Sequence, residues 1–213
     1  MLLEAKQSSI LEKITNLYPE RLYDFYHSCN ITQWDSKTWL VENLNLYFYK
    51  HGKRKPLRIL ILGGWYGLLT YILYDNMGVE FERILSIDFD EKCKEIGKLC
   101  CCDSSIINFE TLDVGKLDYN KVSSFDIVIN TSVEHIEQSV IDRSVGLLKA
   151  GTIHVLQSNN YSDIPQHINT SNSEQEFVSN YASQLDNIES FTRKWPAVTK
   201  KNLERYMVIG IKK

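Results

Sequence analysis

The chain has 213 residues, 43% of them hydrophobic, which is enough for one domain with a substantial core. The net charge of −3 names no partner, but residues 57–189 hold 9 basic and 20 acidic groups, whereas residues 190–213 hold 7 basic and 1 acidic. An acidic central segment argues against an extended nucleic-acid footprint, and no stretch reaches the length of a membrane span.

The N-terminus lacks a cationic region followed by a long apolar run, so no signal peptide is expected. Five cysteines, three of them consecutive at 100–102, suit neither a disulfide framework nor CxxC zinc spacing. A reduced, cytoplasmic chain is the expectation.

Residues 1–56 read as a helical lid or cap segment. "SSILEKITNLY" offers Ser9 as an N-cap with Glu12 three residues on, a capping-box pattern. "DSKTWLVENLNLYFYK" sets Trp39, Leu40, Leu44, Tyr47 and Phe48 at helical spacing. Two or three helices are expected before "HGKRKP", where Pro56 blocks continuation.

From residue 57 strand and helix signals alternate. Strands are expected at 57–62, 83–88, 106–110, 125–130 and 152–159, with helices at 67–77, 90–101, 134–148 and 173–185. Two final strands, 187–195 and 203–213, read as a hairpin. Alternation of this kind gives an α/β fold, a Rossmann-like and mostly parallel sheet with crossover helices on both faces. Ligands of such sheets bind at the carboxyl ends of the strands.

Polar groups follow the strands in that position. The first strand runs into "GGWYG", where glycines allow a tight turn and close backbone approach to a ligand. The second ends in Asp88, 25 residues after Gly63 and placed to accept ribose hydroxyls. Asp113 follows the third, and Asn130 ends the fourth. Gly63, Gly64 and Gly67 do not make the G-x-G-x-x-G of nicotinamide enzymes.

On these residues, 57–213 resembles the class I S-adenosylmethionine-dependent methyltransferases. That family's seven-stranded sheet ends in a reversed strand, like "LERYMVIGIKK", and its loop commonly reads D-x-G-x-G-x-G. Gly63 and Gly67 match the outer glycines, Trp65 replaces the middle one, and Ile61 replaces the acid. The resemblance implies S-adenosylmethionine as cofactor. It assigns Gly63, Gly64, Trp65 and Gly67 to the loop and Asp88 to the ribose. It gives Asp113 and Val114 to the adenine, and Asn130 to the methionine portion or substrate. "SVEHI" is similar to the "LEHI" of many small-molecule methyltransferases. The whole chain is also loosely similar to small phage-encoded methyltransferase-like proteins, though no motif carries that likeness.

Trp65 has two readings: packing in the helix–sheet interface, or facing the sulfonium as a cation–π partner. Methyl transfer needs a base only when the acceptor must lose a proton. His135 is the first candidate, because imidazole titrates near neutrality. Glu134 beside it and His167, in the loop after the fifth strand, are the others. His154, mid-strand, reads as a core residue. Glu134, His135 and His167 are ordinary metal-ligand types, as in metal-dependent O-methyltransferases, but no spacing rule joins them and no metal site is expected. Asn159, Asn160 and Tyr161 stand where substrate would be read.

The reading is a methyltransferase acting on oxygen or nitrogen of a small molecule. Basic clusters at 51–56 and 193–201 keep a nucleic-acid or protein substrate as an alternative that is not favoured. Trp65 and Ile61 keep a third, a non-catalytic binding or assembly protein on this scaffold. Nothing in the sequence fixes the oligomeric state.

Overall fold

The computed structural model describes residues 2–52, 55–101, 104–118, 124–194 and 203–213, with side chains from Ser9 onward. Three helices open the chain: α1 (Leu2–Leu17), α2 (Leu22–Ser28) and α3 (Ile31–His51). Ser9 lies inside α1 rather than at its start, so the expected capping box does not form there. The cap of this region belongs to Asn30, whose side chain accepts from the Gln33 N–H at 2.9 Å and starts α3. Gly52 ends α3 in the left-handed conformation, φ 73°.

The remaining elements alternate as the sequence patterning requires. They are β1 (Leu57–Leu62), α4 (Leu68–Asn76), β2 (Phe81–Asp88), α5 (Glu91–Cys100), β3 (Ile107–Thr111), β4 (Ile127–Asn130), α6 (Gln138–Gly146), β5 (Ile153–Asn159), α7 (Glu174–Ser179), β6 (Leu185–Lys194) and β7 (Glu204–Lys212). They build one seven-stranded sheet in the order β3-β2-β1-β4-β5-β7-β6. β7 pairs antiparallel with both β5 and β6, so six strands run one way and the last is reversed. β1 lies between β2 and β4, which places the switch point of the sheet at its carboxyl end.

Two helices are shorter than the patterning predicts. Residues 133–135 form a 3₁₀ turn, and α6 begins only at Gln138. The Asn130 side chain accepts from the Ser132 N–H at 2.9 Å, an Asx-type turn that competes with a helix start. α7 is capped by Ser173 but stops at Ser179.

Alternate strand residues face two cores. Ile59, Ile61, Ile127, Ile129 and Val155 pack against α3 and α4. Leu60, Leu62, Leu85, Ile87 and Val128 pack on the other face with Phe125 and Leu148. α3 places Leu40, Val41, Leu44, Tyr47 and Phe48 in the first core, so it covers the sheet as a crossover helix does. α1 and α2 lie elsewhere: Ile14, Leu22 and Phe25 cluster with Tyr66, Cys93 and Ile96, over the end of β1. Among the described residues no helix is long and apolar enough to cross a membrane.

Candidate functional site

The loop after β1 turns on three left-handed residues: Gly63 at φ 66°, Trp65 at φ 49° and Gly67 at φ 87°. Two of its glycines are there for space as well. A Cβ on Gly64 would stand 1.8 Å from Ser86 Oγ, and one on Gly67 would meet the Phe109 ring at 2.8 Å. Gly67 then starts α4.

A tryptophan in this conformation costs on the order of 1 kcal/mol, so its surroundings must hold it. Its backbone N–H donates to Asp88 Oδ2 at 3.0 Å. Its indole N–H donates to Asp24 Oδ2 at 3.2 Å, and the Tyr66 hydroxyl donates to the same oxygen at 2.6 Å. The Arg21 guanidinium pairs with Asp90 at 2.6 Å, and the Phe25 ring lies 5.9 Å from that of Tyr66. The two loop aromatics therefore dock α2 onto the loop. Trp65 is partly buried against the cluster of Ile14, Tyr66, Cys93 and Ile96, and it also lines the cavity beside the loop.

Beside this loop lies a cavity of about 760 Å³, within the size range of small-molecule and cofactor sites. Gly63, Gly64, Trp65, Asp88, Asp113 and Val114 line it, as do Glu134, His135 and His167. Asp88 is held by the N–H groups of Trp65 and Asp90, and burial raises its pKa above the ordinary aspartate value. Asp113 caps the short turn 114–116 by accepting from the Gly115 N–H at 2.8 Å, and it reaches the cavity mouth. Two of the expected cofactor residues do not line this cavity: Gly67, which lines a separate pocket with Phe25, Tyr66 and Tyr71, and Asn130. Asn130 is fully buried at the end of β4 with its oxygen spent on Ser132.

At the far end Glu134 is 3% exposed, accepting from Asn159 Nδ2 at 2.7 Å and from Arg205 at 3.4 Å. His135 Nδ1 meets the Gln166 carbonyl at 3.1 Å, and His167 Nδ1 meets the Tyr161 carbonyl. The two imidazoles stand 4.6 Å apart. His154, as its mid-strand position predicts, is fully buried in β5, and its pKa is pushed down to about 3 by desolvation.

The cavity residues that escaped the sequence reading include three charged ones, Lys37, Arg205 and Asp24. Lys37 of α3 is 8% exposed, donates to Gln33 Oε1 and faces the cavity. Its pKa falls to about 7, first through burial and then through the charge of Arg205, against the opposing pull of Glu134. Arg205 of β7 donates to the Thr131 carbonyl at 2.8 Å. Asp24 of α2 is the third. The first had a signal: Lys37 stands in register with Gln33, Leu40 and Leu44 on the inward stripe of α3, where a charged residue is out of place. Arg205 likewise is a buried charge, second in β7 and directly before the buried run Tyr206–Ile209.

No protein-family model matches the chain, and no curated protein sequence does. Solved structures match its fold. NodS, an N-methyltransferase from Bradyrhizobium japonicum WM9 in complex with S-adenosyl-L-homocysteine, superposes with a TM-score of 0.66 at 16% identity, over 97% of this chain and 98% of that one. The CurJ carbon methyltransferase gives 0.69 at 12% identity, over 98% and 67%. The [4+2]-cyclase SpnF gives 0.60 at 13%, over 81% of each chain. Six parallel strands, a reversed last strand and these superpositions together establish that the chain has the Rossmann-like methyltransferase fold.

Proposed function

We propose that the protein is an S-adenosylmethionine-dependent methyltransferase acting on oxygen or nitrogen of a small molecule. The observation that carries this is one cavity with acidic hydrogen-bond acceptors at the ends of β2 and β3 and proton acceptors beyond β4 and β5.

The chain's residues fit the cofactor. Asp88 and Asp113 present carboxylates where a ribose and an adenine amine need acceptors, and Val114 offers an apolar wall. Gly63 and Gly64 leave backbone bare for close approach. Ile61 lies where the family carries an acid, and Asp24 supplies a carboxylate to the same cavity from α2. When bound, the cofactor supplies an electrophilic methyl group on a sulfonium. The protein then has to align the acceptor, exclude water and receive a proton. His135 and His167 both engage backbone carbonyls through Nδ1, which leaves Nε2 with its lone pair. The Lys37 amine, with its pKa near 7, is a third group able to take a proton at neutral pH.

A small acceptor fits better than a nucleic acid. Among the described residues of the two basic clusters, His51 contacts Glu189, Lys55 pairs with Asp126, Arg193 with Asp35 and Lys194 with Glu204. Lys53, Arg54 and residues 195–201 lie outside the described residues.

Calorimetric titration of the folded protein with S-adenosylmethionine and S-adenosylhomocysteine tests the proposal. Binding of one equivalent of each is expected. A folded sample that binds neither overturns it. Binding without methyl transfer to any oxygen or nitrogen acceptor would instead favour the non-catalytic reading, which the displaced acid and Trp65 support.

A further inference from the structure

No spacing rule joins Glu134, His135 and His167 in sequence, yet the fold brings one ligand atom of each within 4.8 Å of the others. The turn after β4 carries the first two, and the long loop after β5 carries the third. Each imidazole has its Nδ1 against a backbone carbonyl, His135 on Gln166 and His167 on Tyr161. A carbonyl only accepts, so each neutral ring carries its proton on Nδ1 and presents a lone pair at Nε2. This is the outer-shell arrangement that orients metal-binding histidines.

Glu134 adds an independent observation. Its Oε1 is satisfied by Asn159 and Arg205, whereas its Oε2 is buried with no hydrogen-bond partner. A buried carboxylate oxygen left without a donor has lost its water and gained no partner in return, which is unfavourable. The site therefore gathers three lone pairs with no proton between them. A Lewis acid satisfies all three at once, and an anion satisfies none.

We infer that Glu134, His135 and His167 bind a divalent transition-metal cation at the acceptor end of the cavity. Two imidazoles and one carboxylate favour such an ion over magnesium, which prefers oxygen ligands. Ligands on one ion at about 2.1 Å stand about 3–4 Å apart, so the 4.8 Å span closes with a small rotation of the half-exposed His167. Three protein ligands leave positions open to the cavity. The role of the ion rests on the transferase reading, while its binding does not: it would polarise an acceptor hydroxyl. The acceptor oxygen then gives its proton to water or to a base of the cavity. It forms the bond to the methyl carbon as the carbon–sulfur bond breaks, and that electron pair stays on sulfur. The positive charge of Arg205 and the Lys37 amine lie nearby, so an anionic acceptor also balances the charge of the site.

The test uses untagged full-length protein stripped with a chelator and titrated with Co²⁺ and with Zn²⁺. One equivalent of each is expected, with visible absorption of the Co²⁺ form showing nitrogen ligation. His135→Gln and His167→Gln should each weaken binding about tenfold or more, because even outer-shell losses reach that size. His51→Gln, on the surface, should bind as the wild type does. Glu134→Gln disturbs the pair with Arg205, so the two histidine variants, with circular dichroism confirming their fold, carry the decision. A folded wild type that binds neither ion, or a His135→Gln/His167→Gln double variant that binds as tightly, overturns the inference. Titration of the stripped protein with S-adenosylhomocysteine separates the two proposals. Cofactor binding without metal binding defeats the ion alone, and metal binding without cofactor binding defeats the transferase reading alone.

Discussion

Lys37→Met is expected to make the protein more stable and less active. The amine is buried among α3, Arg205 and Glu134, and its pKa is about 7 in the folded chain against 10.5 for an ordinary lysine. Between those pH values the unfolded chain binds a proton that the folded chain does not. The lysine's contribution to stability therefore rises with pH from 7 to 10.5 and is at its worst below 7. Methionine keeps the length of the side chain and removes the charge. At pH 6–7 the gain should be about 2–4 kcal/mol, or a rise of about 5–15 °C in melting temperature. Toward pH 10.5 the two proteins should converge. Methyl transfer should fall on the order of 100-fold or more if the amine receives the acceptor's proton. Thermal melts from pH 6 to 10 with paired activity assays check both parts. A stability difference independent of pH, or full activity in the variant, contradicts this account of Lys37.

Asp88→Ala should remove most of the affinity for the cofactor. The carboxylate is already partly desolvated and fixed by the Trp65 and Asp90 amides, so on the proposed reading it stands preorganised for two ribose hydroxyls. Losing hydrogen bonds to a charged acceptor costs about 2–4 kcal/mol, or roughly 30- to 1000-fold in dissociation constant. Asp88→Asn still accepts from the Trp65 amide, so it keeps the loop and should lose less. The raised pKa has a consequence of its own. The hydroxyls bind the charged form, so affinity is complete above the pKa of Asp88 and is lost as pH falls through it. That loss should begin above the range of an ordinary aspartate. Calorimetry of the three proteins across pH 4–7 reads both effects, and unchanged affinity in Asp88→Ala contradicts the placement of the nucleoside.

The parts of this molecule that follow local rules were legible in its sequence. The run "LRILIL" is apolar except for Arg58, which pairs with Asp126, because β1 is covered on both sides, and it forms over its whole length. That Asp88 and Asp113 would stand at the carboxyl edge of the sheet, where both line the cavity, was legible because ligand clefts of such sheets lie at the strand ends. That Asn130 lies buried away from the cavity was not legible, because a strand-end position does not say whether a side chain points outward or closes its own turn. Ser9 was misjudged because the helix pattern continued upstream of a residue that caps well elsewhere. Trp65 and Tyr66 were visible as anomalies, but their partner Asp24 lies 41 and 42 residues away, on a helix with no motif of its own. The convergence of His135 and His167 is likewise tertiary: it depends on the loop after β5 folding back to offer the carbonyls of Tyr161 and Gln166.

The central claim is that the cavity beneath α2 and α3 seats the cofactor with its nucleoside at the ends of β2 and β3 and its methyl group toward Glu134, His135 and His167. A crystal structure of the protein grown with S-adenosylhomocysteine tests this most directly. The account predicts ribose hydroxyls within hydrogen-bond distance of Asp88, adenine beside Asp113 and Val114, and the sulfur facing the two histidines. A saturated, folded protein whose ligand lies outside this cavity, or lies in it with the nucleoside against Glu134, would contradict it.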